Sequence, residues 1–575
     1  MINVFDFEVY VYDWMVVINN PIEKKETIII NDRDKLIKYY ETHKNEIWVS
    51  YNGRHYDTYI MKGILCGFEP QAVNNHIIIE NKPGWKFSSL FREIQFNNFD
   101  IMTTHHGLKM LEGYQGHNIK ETSIPFDIDR KLTDDELNEV IEYCRNDVME
   151  TLNIFIKRKD EFDSVMGLIK TFKLPLHYIS KTKAQLSATI LGCSKVERDD
   201  EWDIKIIDTL DIKKYQEVVQ WFMNPINHEY KKSLKIDIAG VPTIFAWGGV
   251  HSARTKYHSK GFILHVDVNS FYPAIMIEYD LLSRNVRDKS KYREIRDLRL
   301  KYKKEKNPLQ APYKIVLNAT FGICKDRYSS AYDPRQANNI CVNGQLLLLD
   351  LIEHLESVPS FELIQSNTDG LIIKIDEKDF ELTKKVCSEW ENRTRMGLGY
   401  DYITEIWQKD VNNYMFTDTS YTGALNKKGD YDGLERKGAY VKPLNGLDYD
   451  LPIVNRALVN YFLFKTPVDT TINNCNDLIE FQKIVKVSGK YKYALHGDKK
   501  LDEKVLRVFA SRSKNDKGVF KVHNKKDTPD KIANTPERCF IENGNINNVK
   551  VPRRLDKQYY IDVANKRIRD FIGGE

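Results

Sequence analysis

Continuous runs of hydrophobic residues predict strands at the start of the chain. Residues 2–12 are apolar except where Asp6 and Glu8 interrupt them, and residues 47–51 form a second candidate strand before a helix over 59–65. Residues two apart in a strand share a face, so the two carboxylates project together. Such a pair on an apolar strand costs free energy unless a cation or hydrogen bonds compensate it. The pattern therefore predicts a strand that carries a charged site.

Two further elements supply candidate carboxylates for the same charged site. Asp57 falls where the second strand gives way to its helix, and residues 133–155 predict a longer helix that Thr133 can cap. On that helix Tyr143 and Asp147 are four residues apart and share one face. Four carboxylates from three elements can hold two divalent cations, which activate a water and stabilise a leaving oxygen. The four carboxylates are those of Asp6, Glu8, Asp57 and Asp147. The alternative is that each is a surface or capping carboxylate.

A second group of strands lies in the middle of the chain. Residues 261–266 form a buried-strand pattern that ends at Asp267. Residues 361–366 and 371–375 are two strand-like runs separated by the turn sequence NTDG, which predicts a hairpin with Asp369 at its turn. Two metal ions held by Asp267 and Asp369 would suit phosphoryl transfer, which depends mainly on positioning and charge neutralisation.

Between these strands the pattern predicts an antiparallel helix pair. Residues 293–306 are highly charged and helical in propensity, and a break at Asn307-Pro308 precedes a second helix from about residue 311 to 317 or beyond. On the second helix Lys314, Asn318 and Gly322 recur every four residues and share a face. The first helix presents Arg296, Arg299 and Lys303 on one face, either as a phosphate clamp or as a solvated charged surface.

Composition narrows the class of protein. A chain of 575 residues should divide into three or more domains. With 42% hydrophobic and 29% charged residues it has the composition of a soluble globular protein, and no run approaches the roughly 20 apolar residues of a membrane span. We expect no secretory signal in the first residues. The eight cysteines are scattered without a CxxC pair, which favours a reduced compartment over a zinc module.

Six short motifs resemble those of the family B DNA polymerases with a DEDD 3′–5′ exonuclease. In chain order, DFE, NGRHYD and YCRND resemble the exonuclease motifs, and DVNSFYP, KIVLNATFG and NTDG resemble polymerase motifs A, B and C. Within this family, the chain resembles the compact bacteriophage or plasmid type. The resemblance implies an α+β and α/β multidomain fold, in which a ribonuclease H-like exonuclease domain precedes a right-hand polymerase of palm, fingers and thumb.

The resemblance also implies domain boundaries. We expect an exonuclease domain at 1–165, a connecting region and first part of the palm at 166–283, fingers at 284–322, a second part of the palm at 323–440, and a thumb or C-terminal DNA-binding region at 441–575. In the last of these, a lysine-rich stretch would contact phosphates without reading sequence, or else form a solvated surface. Its lysines are Lys514, Lys517, Lys521, Lys525 and Lys526.

For the polymerase site, the resemblance implies a role for each matching residue. Asp267 and Asp369 would be catalytic and, with Val268, would bind metal. Tyr272 looks like the tyrosine that excludes a 2′-hydroxyl, with core packing as the alternative. The nucleotide-binding residues would be Ser270, Phe271, Tyr272, Lys314, Asn318, Arg296, Arg299 and Lys303.

For the exonuclease, Asp6, Glu8, Asp57 and Asp147 would be catalytic metal ligands, and Tyr143 would orient the attacking water. DNA contacts are implied at Asn52, at Trp247 as a stacking surface with Gly248 and Gly249, and at Tyr414 with Lys437. A plain turn is the alternative for the two glycines.

Two departures from the family pattern lie in NTDG, where Asn367 replaces an aspartate and Gly370 replaces a serine. We expect a template-directed DNA polymerase with a proofreading exonuclease and two-metal-ion nucleotidyl transfer. Asn367 motivates one rival, an exonuclease whose polymerase half only binds DNA. A second rival, a non-catalytic single-strand-binding protein, would not need carboxylate clusters.

The resemblance implies cofactors and partners as well. We expect two Mg²⁺ ions per active site, with Mn²⁺ as a substitute. The expected partners are primer-template DNA, dNTPs, single-stranded DNA at the exonuclease site and replication accessory proteins, with no membrane. We expect a monomer in the cytoplasm, which is that of the bacterial host if the protein is viral.

Overall fold

A computed structural model describes residues 1–426, 429–501, 503–526 and 528–573. The chain is a mixed α+β protein and divides into two compact units. The first unit contains Met1–Thr182, Leu444–Pro452 and Cys475–Tyr559; the second contains Lys183–Pro443, Ile453–Asn474 and the chain from Tyr560 onward. Each unit is thus assembled from separated segments. The five predicted domains are a finer division than this one, and their bounds stay predictions.

The first unit is built around a five-stranded sheet of order β3-β2-β1-β4-β5. Its strands are β1 (Ile2–Val9), β2 (Trp14–Asn20), β3 (Lys25–Ile30), β4 (Ile47–Ser50) and β5 (Asn98–Asp100). β1 is antiparallel to β2 and parallel to β4. Phe5 and Phe7 on one face of β1 lie in the main core cluster of this unit. The alternation of a strand therefore directs Asp6 and Glu8 to the opposite face.

The helices of the first unit confirm most of the predicted pattern. They are α1 (Arg33–His43), α2 (Asp57–Cys66), α3 (Pro70–Asn74), α4 (Leu108–Tyr114), α5 (Asp134–Lys157) and α6 (Lys159–Thr171). Thr133 caps α5 in a reciprocal capping box with Glu136, as its sequence predicts. Asp57 is the first residue of α2. The predicted junction of strand and helix at this aspartate is therefore confirmed.

The second unit contains a nine-stranded antiparallel sheet of order β14-β13-β12-β9-β11-β10-β8-β7-β6. The strands are β6 (Ser233–Ile238), β7 (Val241–Ala246), β8 (Gly249–Ala253), β9 (Tyr257–Val268), β10 (Glu362–Ser366), β11 (Gly370–Lys374), β12 (Leu398–Asp410), β13 (Asn413–Asp418) and β14 (Leu434–Lys437). The predicted hairpin around NTDG is confirmed as β10–β11. β9 lies between β11 and β12 near the middle of the sheet.

Helices precede, interrupt and follow this sheet in the sequence. They are α7 (Lys183–Ile190), α8 (Gln216–Met223), α9 (Phe271–Glu278), α10 (Lys289–Lys304), α11 (Gln310–Lys325), α12 (Pro334–Leu355), α13 (Phe380–Thr394), α14 (Pro452–Phe464), α15 (Val468–Asn474) and α16 (Lys557–Ile572). The predicted helix pair is confirmed as α10 and α11. Tyr302 packs against Tyr313, and the Tyr292 hydroxyl donates to the Leu317 carbonyl at the other end, so the two helices are antiparallel.

The segment Cys475–Tyr559, which we call the C-terminal β module, belongs to the first unit. Its strands are β15 (Lys483–Lys486), β16 (Tyr491–His496), β17 (Lys499–Leu501), β18 (Val505–Ala510), β19 (Val519–His523), β20 (Pro529–Lys531) and β21 (Cys539–Ile541). They form sheets of order β15-β18-β21 and β17-β16-β19-β20. Within the described ranges, no helix of the protein is long and apolar enough to span a membrane.

Candidate active sites

The first candidate site gathers carboxylates from three elements of the first unit. Asp6 and Glu8 project from the same face of β1, and the Phe7 amide between them donates to Asp57 Oδ1 over 3.1 Å. These three acidic residues line one cavity of about 600 Å³. Asp147 on α5 lies close enough for its charge to act on both Asp6 and Glu8. The structure therefore brings the four predicted carboxylates together.

The electrostatics of this cluster favour a bound cation. Burial raises the pKa of Asp6 and of Glu8 well above their ordinary values, and repulsion from the neighbouring carboxylates adds to the shift. Burial also raises the pKa of Asp57 to about 7 and that of Asp147 above its usual range. Buried carboxylate oxygens that repel one another are the donors that hard divalent ions take. The residues thus fit the expected magnesium site.

The sequence did not identify Lys109 as part of this site. Its ammonium on α4 lies 2.7 Å from Asp147 Oδ1 and 3.3 Å from Glu112 Oε2, and it also faces the Tyr143 ring at 4.6 Å. In the sequence, a lysine and a glutamate three residues apart are the only signal of this contact. Lys109 supplies a positive charge that holds Asp147 in place.

Two more side chains near these carboxylates, Cys144 and Glu121, were not identified from the sequence. The Cys144 thiol donates to the Asp6 carbonyl over 3.4 Å, and its sulfur lies within 4.8 Å of carboxylate oxygens of Asp6 and Glu8. The Tyr143 hydroxyl donates to Glu121 Oε2 over 3.1 Å. Burial and the nearby carboxylates raise the pKa of Tyr143, so this hydroxyl keeps its proton.

Asn52 reaches the same cavity through a constrained loop. Its φ of 63° lies in the left-handed region, which asparagine tolerates better than most residues. The Asp100 carboxylate accepts from the amides of Asn52 (2.9 Å) and Arg54 (3.1 Å). Asp100 therefore has a structural role, because it holds the NGRHYD loop so that Asn52 lines the cavity.

The second candidate site lies in the second unit, where two neighbouring strands bring Asp267 and Asp369 together. Asp267 is the penultimate residue of β9 and pairs across the sheet with Gly370 at the start of β11. The Val268 amide donates to the Asp369 carbonyl over 2.9 Å, which closes the end of this pairing. Burial raises the pKa of Asp267, and the charge of Asp369 is the next largest cause. The two carboxylates are therefore close, and they fit a shared divalent cation.

A cavity of about 420 Å³ adjoins these carboxylates. The predicted residues that line it are Asp267, Val268, Ser270, Phe271, Tyr272, Arg299, Lys314, Asn318 and Asp369. Tyr272 lies in the first turn of α9, and its ring centroid is 4.5 Å from that of Phe321 on α11. The antiparallel helix pair thus contributes cations and an aromatic wall to the same cavity as the carboxylates.

The three basic residues predicted to act together on α10 have different surroundings. Arg299 lines the cavity and donates to Ser270 Oγ over 2.6 Å, and within the described part of the chain its buried Nε has no hydrogen-bond partner. Arg296 instead pairs with Glu278 at 3.2 Å. The charge of Lys303 acts on Asp267 by lowering its pKa. Arg299 is the best placed of the three to meet a ligand anion.

The NTDG turn explains one departure from the family pattern. A Cβ at Gly370 would lie 2.8 Å from the Val266 carbonyl and 3.3 Å from Asp267 Oδ1. This close approach of β11 to β9 requires glycine in this chain. Asn367 accepts a long contact of 3.5 Å from the Asp369 amide, so its side chain supports the turn that presents Asp369.

The predicted stacking role of Trp247 is wrong for this conformation. The side chain is 1% exposed and packs among Trp202, Trp221 and Phe222, while its indole N–H donates to the Asn227 carbonyl over 2.9 Å. A ring enclosed in this way cannot stack on a base. No local sequence pattern indicates these aromatic neighbours, because they come from other segments of the chain.

The neighbouring glycines and the Tyr414–Lys437 pair occupy the same sheet. Gly248 lies in the tight β7–β8 turn, and a Cβ at Gly249 would lie 3.8 Å from Thr368 in the NTDG turn. Tyr414 and Lys437 are cross-strand partners, with the Lys437 ammonium 5.7 Å from the tyrosine ring. Their predicted DNA contacts stay predictions, as do those of the module lysines.

Comparison with known proteins adds a distant likeness. No protein-family model matches the chain, and no curated protein matches it. Among solved structures, it is similar to the family B DNA polymerase from the hyperthermophilic archaeon Pyrobaculum calidifontis. The identity is 14%, the TM-score is 0.44, and the match covers 99% of this chain and 77% of the other.

Replacing Gly370 by alanine should separate the two carboxylates of the second site. The added methyl cannot fit against the Val266 carbonyl, so β11 must move away from Asp267. We expect Mn²⁺ affinity at this site to fall about tenfold or more, measured by paramagnetic resonance titration in an Asp57→Asn background. Gly489→Ala, where nothing lies within 4 Å of the new Cβ, is the matched control. Unchanged Mn²⁺ affinity would show that the strand contact is not required.

Metal binding at the first site should weaken as the pH falls from 8 to 6. The pKa of Asp57 is raised to about 7, and a cation must displace the proton held below that pH. For one displaced proton, the apparent Mn²⁺ affinity should drop by up to about tenfold per pH unit below 7. The titration is made with Asp369→Asn to remove the second site. Equal affinities at pH 6 and 8 would contradict the assignment.

Proposed function

We propose that the chain is a template-directed DNA polymerase with a 3′–5′ proofreading exonuclease. The observation that carries this proposal is the cavity of about 420 Å³ where Asp267 and Asp369 meet the cationic Arg299 and Lys314. Acidic and basic groups facing one space suit a ligand that combines metal ions with phosphates. A separate carboxylate-lined cavity in the first unit supplies the second activity.

In the polymerase reaction, the side chains of the second unit position the nucleotide and neutralise its charge. Asp267 and Asp369 would hold two Mg²⁺ ions, which supply activation of the primer 3′-oxygen and stabilisation of the triphosphate. Lys314 and Arg299 would bind the triphosphate oxygens. The Nε of Arg299, which no described residue of the chain accepts from, offers a donor for one of them. Asn318 lines the same cavity beside the incoming nucleotide.

Tyr272 would select the sugar by exclusion. Its ring is held by Phe321 on one side, and a Cβ at Gly344 on α12 would lie only 3.3 Å from it. A ring fixed by such close packing cannot move aside for an additional hydroxyl. The burial that raises the pKa of Tyr272 keeps its hydroxyl neutral beside the phosphates.

In the exonuclease reaction, the first unit would cleave the 3′-terminal phosphodiester of a single strand. Asp6, Glu8, Asp57 and Asp147 would hold the Mg²⁺ ions that activate the attacking water. Tyr143 keeps its proton and would orient that water. Ile78, Ile79 and Phe126 are among the apolar side chains that line the same cavity. These three are exposed, which suits contact with unpaired bases.

One rival is supported by a specific residue. Asn367 replaces a carboxylate of the family pattern, so the second unit has one acidic side chain fewer. An exonuclease whose second unit only binds primer-template DNA is therefore the alternative. A single-strand-binding protein without catalysis is less well supported, because the buried carboxylate cluster of the first unit would cost free energy without serving its function. The proposed partners are primer-template DNA, dNTPs and a single-stranded 3′ end, for a monomeric enzyme.

Two substitutions test whether the second unit carries primer extension and the first unit carries 3′–5′ digestion. Asp369→Asn should lower Mg²⁺-dependent primer extension on the order of 10³-fold and leave 3′–5′ digestion intact, because it removes a charge only from the second unit. Asp147→Ala should have the opposite effect. Both activities are measured on one 5′-labelled primer-template, with and without dNTPs. Wild-type digestion without extension in either Mg²⁺ or Mn²⁺ would favour the rival.

Tyr272→Val should admit ribonucleotides. Removing the ring opens the space in which a 2′-hydroxyl would sit, so the ratio of dNTP to rNTP incorporation should fall by about 100-fold or more. Single-nucleotide insertion kinetics provide the measurement, and Tyr272→Phe, which keeps the ring, is the matched control. Unchanged sugar selectivity in Tyr272→Val would refute the gate.

A further inference from the structure

Arg507 on β18 is a buried arginine that meets only neutral acceptors. Its side chain is 0% exposed. Its Nε donates to Gln482 Oε1 (3.1 Å), Nη1 donates to the Glu542 (3.1 Å) and Gly544 (2.6 Å) carbonyls, and Nη2 donates to the Gly113 (3.1 Å) and His117 (2.7 Å) carbonyls. These contacts use all five N–H donors of the guanidinium. A buried guanidinium with no carboxylate hydrogen-bonded to it is costly unless its N–H donors are satisfied, so these five acceptors determine where it can lie.

Two of the acceptors lie outside the C-terminal β module. Gly113 is in the last turn of α4, and His117 is in the loop that follows it. A Cβ at Gly113 would lie 3.2 Å from Ile484 of β15, so the glycine lets the module approach the helix closely. Arg507 therefore joins the module to the end of α4.

Further hydrogen bonds from the module fix the same loop. Gln482 Nε2 donates to the Tyr114 carbonyl over 3.1 Å, and Asn547 Nδ2 donates to the Gln115 carbonyl over 3.1 Å. Backbone bonds join Ile546 N to Gly116 O (2.8 Å) and Ile119 N to Asn543 O (2.9 Å). The residues after α4 are thus held by the module along their length.

The other end of α4 reaches the carboxylate cluster. Lys109 lies in its first turn, one turn before Gly113, and its ammonium contacts Asp147 at 2.7 Å. A helix of seven residues has little stability of its own, so tertiary contacts must fix its position. The position of Lys109 beside Asp147 consequently depends on what holds the end of the helix.

We propose that Arg507 is a positioning residue of the nuclease site, which it serves by fixing α4 and thereby the Lys109–Asp147 contact. This inference rests on the proposed exonuclease function and extends it, because it makes the C-terminal β module an integral part of that activity. The module would be needed for the rate of digestion rather than for binding the strand, since Lys109 acts on a metal-binding carboxylate.

The test compares digestion of a single-stranded oligonucleotide by full-length variants. Arg507→Lys and Arg507→Gln should lower kcat by about ten- to 100-fold with KM within about twofold of wild type. Asn547→Ala, an exposed residue that loses one hydrogen bond to the same loop, should lower kcat about two- to fivefold. Arg512→Lys, the same exchange at an exposed arginine of the module, should have no effect. The melting temperature and circular dichroism spectrum of each sample report whether the protein is folded.

A double-mutant cycle separates positioning from a general loss of stability. If Arg507 acts through Lys109, adding Arg507→Lys to Lys109→Ala should reduce kcat no further than Lys109→Ala alone. Losses of kcat that multiply in the double mutant would overturn this inference. So would an unchanged kcat in Arg507→Lys and Asn547→Ala while the wild-type protein digests the strand. Neither result would affect the proposed exonuclease. If the Arg507 variants do not fold, Asn547→Ala combined with Lys109→Ala decides by the same criterion. A wild-type protein without digestion would overturn the proposed exonuclease, and this inference with it.

Discussion

Repulsion between neighbouring carboxylates is the constraint on which both sites depend. Asp6, Glu8 and Asp57 lie together under burial that raises each pKa, and the charge of Asp369 adds to the burial that raises the pKa of Asp267. Burying the charges of the first cluster, and bringing like charges together at either site, costs free energy that cations or hydrogen-bond donors offset. The surrounding fold must therefore hold each cluster against its own repulsion. In the first unit it does so with the sheet, α2, α5 and α4; in the second it does so with the β9–β11 pairing.

Much of this arrangement could be predicted from local patterns. The period-two alternation of β1 placed Asp6 and Glu8 on one face, and the capping signals placed Asp147 on α5, because these relations depend only on nearby residues. The NTDG turn between two apolar runs likewise predicted the hairpin that presents Asp369. The convergence of motifs distant in the chain was expected from the family resemblance, since nothing local determines it.

Contacts between distant segments could not be predicted in this way. Trp247 is enclosed by aromatic side chains from two other segments, and no periodicity marks a tryptophan as a member of such a cluster. In the sequence Lys109 cannot be distinguished from other helical lysines, because its partner Asp147 lies on a different helix. Arg507, 394 residues from Gly113, shows the same limit, because its five acceptors are mostly backbone carbonyls and carry no sequence signal.

Anomalous diffraction from crystals soaked in Mn²⁺ locates bound ions independently of activity, so it shows whether these carboxylates hold metal. We expect a peak in contact with Asp267 and Asp369, and another in contact with Asp6, Glu8 and Asp57. A peak at the first cluster but none between Asp267 and Asp369 would contradict a two-metal polymerase site. Side chains of these two aspartates turned to opposite faces of the sheet would contradict it equally.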